Sequence, residues 1–496
     1  MQRADELLLR GAPEAPALAD RDRRLSYAEL NAQVSAVAGA LAARLPEGER
    51  VAVWLPKSLE CVVLLFACLR AGLVMVPVNP VLRAQQVRHI LGDSGAALLI
   101  THRARAGGLA DPPCPVLLLE TDWADLAAGS PLEGRGQGGD TLAALLYTSG
   151  STGAPKGVMV THTNLLVGAR SVSSYLGTAP DDHVLSVLPL SFDFGFSQLT
   201  TAFHAGASVA LLDYLTPRDV VQACARYGIT QLGAVPPLWV QLIAQDWPAD
   251  VVARLRTLSN TGGRLPVPAV KALRALFPAA RLHLMYGLTE AFRSTTLPPD
   301  LADSHPASIG RAIPEAEILV VRADGQITAD DEPGELVHCG PLVTQGYWHD
   351  AERTAIRFKP APPASRYGGM AVWSGDTVVR DAQGLITFVG RADETIKTMG
   401  TRVSPTEIEE LAYLSGAVAQ VVALGLADEV AGQRIRLVAS AAPGFEPAAA
   451  EAKLMGFFKR EAPHYMLPAG IVWLDALPVS ANGKLDRSAL RANYSA

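Results

Sequence analysis

Residues Tyr147-Thr148-Ser149-Gly150-Ser151-Thr152-Gly153-Ala154-Pro155-Lys156-Gly157 decide how the rest of the chain is read. Four of these eleven residues are Gly or Pro, so the stretch is a loop by composition. Before it runs Leu142-Ala143-Ala144-Leu145-Leu146, the short apolar run expected of a buried strand. After it, Val158-Met159-Val160-Thr161 predicts a second strand, and Thr163-Asn164 predicts a helix cap. Hydroxyls at Thr148, Ser149 and Thr152 lie beside glycines whose backbone can approach a ligand closely. With Lys156 and the loop N–H groups they make a cradle for phosphate. The string is not a Walker loop, because Gly157 rather than Ser or Thr follows Lys156. Ser/Gly richness alone would equally suit a surface hairpin.

Working outward, 496 residues suffice for two or three domains, each with a substantial core. A hydrophobic share of 49% with only 6% aromatics suits an α/β protein rich in Ala, Leu and Val. The net charge of −6 is spread without long runs of one sign, which argues against a nucleic-acid groove or an electrostatic membrane anchor. The cysteines Cys61, Cys68, Cys114, Cys224 and Cys339 are odd in number and show no CxxC spacing. Neither a disulfide framework nor a zinc site is expected, and a reducing cytoplasm is. The start, Met1-Gln2-Arg3-Ala4-Asp5-Glu6, lacks the basic opening and apolar core of a signal peptide. The longest apolar run, Cys61 to Leu69, is about half of what a membrane helix needs.

In chain order, Ser26 and Glu29 form a capping-box signature ahead of Leu30, Val34, Val37 and Leu41 at helical spacing. A strand (51–55), a helix (58–70) and strands at 74–78, 96–101 and 116–119 follow, the alternation of a largely parallel α/β sheet. The Gly-rich residues 128–140 read as a flexible connector within a domain. Leu188-Pro189-Leu190-Ser191-Phe192-Asp193-Phe194-Gly195-Phe196 sets an acid among aromatics, where a lone buried carboxylate would be costly. Asp193 could instead cap a helix over 195–203. The last hundred residues predict a small α/β module with helices near 405–413 and 447–460 and strands near 418–425 and 434–441. Asn482-Gly483 is a tight-turn pair, and the Lys484 after it would ordinarily be a solvated surface residue.

The eleven-residue string closely resembles the phosphate loop of the adenylate-forming superfamily, which includes acyl-CoA synthetases, peptide-synthetase adenylation domains and luciferase. Three further strings resemble that superfamily's motifs in the same order: Tyr286-Gly287-Leu288-Thr289-Glu290, Ser374-Gly375-Asp376 with Gly390-Arg391-Ala392-Asp393-Glu394, and Asn482-Gly483-Lys484. The resemblance implies a large multi-subdomain N-terminal adenylation domain with mixed and parallel sheets (1–390). It also implies a small mobile C-terminal α+β domain (391–496). ATP and Mg2+ would be the cofactors, with CoA or a phosphopantetheine thiol as acceptor.

By the same resemblance, Thr148, Ser149, Gly150, Ser151, Thr152, Gly153 and Lys156 would hold phosphates, and Gly262 and Gly263 would wall the adenine and acyl pockets. Tyr286 and Gly287 would lie by adenine, Thr289 would contact phosphate oxygens and Glu290 would hold the metal. Asp376 would accept from the ribose hydroxyls, which suits a carboxylate, and Arg391 would reach ribose or phosphate. Asp393 would be the hinge. Lys397 belongs to a hairpin that swings in for thioester formation, where Met399-Gly400 replaces the usual Gly-Gly. Lys484 would point its ammonium at the carboxylate and the α-phosphate.

Asp193, Phe194, Ser197, Ser259, Thr261, Met285, Arg293 and Ser294 would line the acyl pocket, a mixed and rather polar set. In amino-acid-activating domains an aspartate at the position of Asp193 holds the substrate's ammonium, whereas many acyl-CoA synthetases carry His-containing motifs there. Arg293 could meet a second substrate carboxylate or Asp193 itself. The stretches 192–199 and 286–297 look like the stand-alone AMP-forming ligases found with bacterial polysaccharide and exosortase gene sets. The implied activity is conversion of an amino acid or small polar acid to acyl-AMP, then thioester formation on CoA or on an acyl or peptidyl carrier protein. A non-amino acid, adenylation without thioester formation, a luciferase-type oxidase and a non-catalytic scaffold are the alternatives.

Overall fold

The computed structural model describes residues 1–136, 138–148, 155–391, 394–399, 401–428 and 431–494. It contains a large N-terminal domain and a smaller C-terminal one, each with its own apolar core.

A six-stranded sheet runs Val116–Leu118, Leu98–Thr101, Arg50–Trp54, Val74–Pro77, Leu142–Thr148, Lys156–Thr161. It is parallel except for its last pair, which is antiparallel and flanks the phosphate-loop string on either side. Val51 and Val53 enter one core while Ala52 and Trp54 enter another, so both faces are covered. That explains why its strands are almost continuously apolar. The fourteen-stranded second sheet is parallel through His183–Ser186, Ser208–Leu211, Gln231–Ala234, Thr257–Asn260 and Arg281–Tyr286. It becomes antiparallel from Thr295–Leu297 through Ser308–Ala312, Ile386–Arg391 and Met370–Arg380. The largely parallel arrangement expected from residues 51–119 is that of the first sheet, and the mixed pairing implied by the resemblance is that of the second. Helices Leu59–Arg70 and Asp193–Ala205 bury nearly all their residues in the core joining the two sheets.

Three local expectations change. The helix after the phosphate loop starts two residues early: Thr161 is its N-cap, and the Asn164 side chain accepts from the Thr161 N–H at 2.9 Å, closing a capping box. Asp193 is not a cap either, because Phe192 occupies the cap position and Asp193 opens the first turn. The Gly-rich segment is packed rather than loose. Leu132 N–H donates to the Ser35 carbonyl at 3.1 Å, Arg135 N–H to the Arg70 carbonyl at 2.8 Å and Gly139 N–H to the Gln2 carbonyl at 2.7 Å. Its glycines permit close approach to the helices beneath it.

In the small domain, Val418–Asp428 and Gly432–Ala441 form the long hairpin of a five-stranded sheet, covered by helices Pro405–Leu414 and Pro447–Glu461. All five cysteines are buried free thiols. Among the described residues, no helix is long and apolar enough to cross a membrane.

Candidate active site

Thr148 and Lys156 face each other across the ladder, one on each side of the phosphate loop. Ser149, Gly150, Ser151, Thr152 and Gly153, the predicted phosphate contacts, lie outside the described residues. Among the described residues the Thr148 hydroxyl is buried without a hydrogen-bond partner. Such an orphan costs about 1–3 kcal/mol, which an oxygen-bearing ligand would relieve. Lys156 Nζ lies 3.9 Å from the Tyr347 ring centroid and 3.9 Å from Glu290 Oε1. Burial lowers its pKa, and the Glu290 carboxylate opposes that shift.

Tyr347 donates its hydroxyl to Glu290 Oε1 at 2.5 Å. Sequence reasoning missed it. The segment that carries it clasps the strand leaving the phosphate loop, with Met159 N–H on the Gly346 carbonyl at 2.9 Å and Trp348 N–H on the Gly157 carbonyl at 2.8 Å. The available signal was the aromatic pair Tyr347-Trp348 directly after Gly346. Among the described residues no three metal-ligating side chains cluster. A hard cation here would therefore use Glu290 and oxygens brought by a nucleotide, a donor set that fits magnesium.

A cleft of ≈ 400 Å³ between the domains is lined by Thr261, Gly262, Gly263, Met285, Tyr286, Gly287, Asp376, Arg391 and Lys484, among others. Tyr286, ending its strand, donates to Asp376 Oδ2 at 2.5 Å, and Arg391 Nε lies 3.1 Å from Asp376 Oδ1. Burial raises the Asp376 pKa against the pull of Arg391, and it lifts the Tyr286 hydroxyl well above the usual range. Lys484 enters the cleft from the small domain. Its ammonium sits 4.6 Å from the Phe192 ring centroid. Gly262, at φ +82°, makes room: a Cβ there would lie 2.8 Å from Lys484 Cε. Burial lowers the Lys484 pKa, and the largest opposing influence is the Asp193 carboxylate.

Asp193 is paired. Arg293 Nη1 donates to its Oδ2 at 2.8 Å, and the Thr289 hydroxyl donates to its Oδ1 at 3.2 Å. Of the two partners the sequence left open for Arg293, Asp193 is the one it meets. Arg293 Nη2 also donates to the Ser197 hydroxyl at 3.2 Å, and its guanidinium covers the Phe194 ring at 4.6 Å. Arg293 is 1% exposed, and its Nε is buried without a partner among the described residues. Behind the pair, a Cβ on Gly233 would meet Ser259 Oγ at 2.8 Å, Gln198 Nε2 at 2.9 Å and Phe194 Cζ at 3.0 Å, so these groups converge tightly.

The remaining expected residues are less directly grouped. The Met285 sulfur accepts from the Tyr175 hydroxyl at 2.9 Å, and the Ser294 hydroxyl is engaged with His338 Nδ1 at 2.9 Å. Lys397 is exposed and outside the cleft lining. Met399, at φ +48°, holds a left-handed conformation where the usual pattern has glycine. Asp393 lies outside the described residues.

Comparisons with known proteins agree with this geometry. Residues 8–348 match the AMP-binding enzyme family and residues 407–484 its C-terminal domain. Tyrocidine synthase 3 of Brevibacillus parabrevis is 32% identical over 488 residues, spanning 96% of this chain but 7% of the relative. The phosphinothricin tripeptide synthetase PhsC of Streptomyces viridochromogenes is 33% identical over 485 residues, spanning 96% of this chain and 44% of the relative. The chain thus covers less than half the length of either. The crystal structure of ATP-bound MatB from Rhodopseudomonas palustris superposes with TM-score 0.89 at 26% identity, covering 100% of this chain and 99% of that one. The o-succinylbenzoate CoA synthetase of Bacillus subtilis, in complex with ATP and a magnesium ion, gives TM-score 0.83 at 26% identity, covering 99% of each chain. By its two matched domains and by the cleft between them, this chain belongs to the AMP-binding enzymes of the adenylate-forming superfamily.

Proposed function

We propose that the chain transfers AMP from ATP to a small polar carboxylic acid, releases pyrophosphate, and passes the acyl group to a phosphopantetheine thiol. The observation that carries this reading is the Lys484 ammonium seated on Phe192, inside the cleft that Asp376 and Tyr286 line. The acid's oxygen bonds to the α-phosphorus while the bond to the β-phosphate oxygen breaks and pyrophosphate departs. Two anions must meet, so fixed positive charge at the junction is the main requirement. Lys484 supplies it at the carboxylate and Lys156 near the leaving phosphates. Magnesium, held by Glu290 and nucleotide oxygens, would neutralise further phosphate charge. Asp376 would accept the ribose hydroxyls in place of its Tyr286 bond. In the second step the thiol sulfur bonds to the acyl carbon and AMP leaves. The thiol would need the place that Lys484 holds, so the small domain would turn away between the steps, with Asp393 as the proposed hinge and the boundary at 390/391.

A charge count bears on the acid. Asp193 and Arg293 cancel, and Lys484 matches the reacting carboxylate, so an acid with an uncharged polar tail leaves the pocket neutral. A second reading, an amino acid, is supported by Asp193 itself and by similarity to a tripeptide synthetase. It requires the ammonium to share Asp193 with Arg293. Pyrophosphate release measured with proteinogenic, β- and D-amino acids, hydroxy acids, diacids, and fatty and aromatic acids tests both. Turnover confined to uncharged polar short acids supports the first reading. Turnover confined to amino acids supports the second. Turnover confined to long alkyl acids contradicts both.

A further inference from the structure

Lys484 can act only if the hairpin that carries it is seated correctly, and one residue of the large domain grips that hairpin. Asn79 lies just beyond the strand Val74–Pro77 and is 5% exposed. Its Oδ1 accepts from the Val81 N–H at 3.1 Å, which fixes the amide orientation. Its Nδ2 is thereby aimed at the small domain, where it donates to the Ala481 carbonyl at 2.9 Å and to Asn482 Oδ1 at 3.3 Å. Both acceptors belong to the turn leading into Lys484. That turn is closed by Ser480 N–H on the Lys484 carbonyl at 2.7 Å and Gly483 N–H on the Ser480 carbonyl at 2.8 Å.

We infer that Asn79 is a positioning residue that docks the Lys484 hairpin for acyl-adenylate formation and has no part in thiol transfer. The inference rests on the proposed role of Lys484. Three points of the large domain then define the lysine's path. Asn79 holds the hairpin tip, Gly262 leaves a gap beside the methylenes, and Phe192 receives the ammonium. The Phe192 loop is itself braced from the neighbouring strand end, where buried Lys57 Nζ donates to the Leu188 carbonyl at 3.1 Å. A 1 Å error in a catalytic cation is expensive, because catalysis by positioning depends on near-attack geometry. Two hydrogen bonds from a buried amide suffice to hold a turn. Other described contacts between the domains include Arg264 with Glu410 at 3.6 Å, which grips the helix Pro405–Leu414 rather than the hairpin.

The test separates the two half-reactions. Acyl-adenylate formation is followed by ATP–pyrophosphate exchange with the best acid from the panel. Thiol transfer is followed with the synthetic adenylate of that acid and pantetheine. Asn79→Asp keeps the acceptor for Val81 and removes the donor; Asn79→Ala removes both. Each is expected to slow exchange about tenfold or more, with the ATP KM and the thiol-transfer rate unchanged. Asn482→Ala, which removes one acceptor from the opposite side, is expected to slow exchange less. Amide hydrogen exchange of the full chain with ATP and magnesium gives a readout independent of the acid. Residues 479–485 should lose protection in the Asn79 variants while the strands Val418–Asp428 and Gly432–Ala441 keep theirs. Equal loss in both half-reactions, or unchanged exchange and protection, would overturn the assignment. If Asn79 variants do not fold, Asn482→Ala decides on the same criteria. A Lys484→Ala variant with undiminished exchange would instead refute the functional reading on which the inference stands.

Discussion

The two ends of the site are built from the same parts and differ in access. On the side proposed for the nucleotide, Asp376 takes a tyrosine hydroxyl and lies beside Arg391, whose side chain is 41% exposed. On the side proposed for the acid, Asp193 takes a threonine hydroxyl and pairs with Arg293, whose side chain is 2% exposed. The first carboxylate opens onto the cleft and can exchange a protein hydroxyl for a ligand's. The second is sealed with its counter-ion. A motif that supplies an aspartate therefore does not by itself supply a free anion.

The sharpest way to break the comparison is to remove each arginine. Arg293→Met should destabilise the protein by about 3–5 kcal/mol, because it strands Asp193 in a buried site. Arg391→Met should cost no more than about 1 kcal/mol, since that pair is partly solvated. Chemical denaturation of both variants checks the contrast, and equal losses would erase it. Lys484→Ala, removing the cation between the two ends, should slow acyl-adenylate formation by about 10²–10³-fold without unfolding the chain. Asp376→Asn should raise the KM for ATP by roughly tenfold and change kcat less, seen in initial rates against ATP concentration.

The smallest effect concerns pH. Desolvation holds the Lys484 pKa below the ordinary lysine value of 10.5. The charged ammonium is the active form, so the rate should fall as pH rises through a midpoint below that value. A pH–rate profile with no decline below pH 10.5 would show that Lys484 keeps its ordinary affinity for protons.

How much of this was legible in the chain follows from what is local. The resemblance of residues 147–157 could be read because its hydroxyls and glycines are consecutive, and the strand before it because apolar runs of that length make buried strands. Lys484 looked like a surface residue until its spacing from the other motifs was considered. The Asp193–Arg293 pair was only half legible: both residues stood out, but they lie 100 positions apart and only the packed sheet decides where Arg293 points. Tyr347 meets Glu290 across 57 positions, from a segment without periodicity, so the aromatic pair after Gly346 was visible but its partner was not. The Gly-rich residues 128–140 misled in the opposite direction. Composition suggested slack chain, whereas their glycines and backbone groups fit tightly against neighbouring helices.

The central claim is that the chain joins AMP to a carboxylic acid with Lys484 as the cation at the junction. Acid-dependent exchange of labelled pyrophosphate into ATP, in wild type and Lys484→Ala side by side, tests it most directly. The account predicts exchange that needs both magnesium and a short polar acid and that collapses in the variant. Exchange that persists at the wild-type rate without Lys484, or that no acid of the panel elicits, would contradict it.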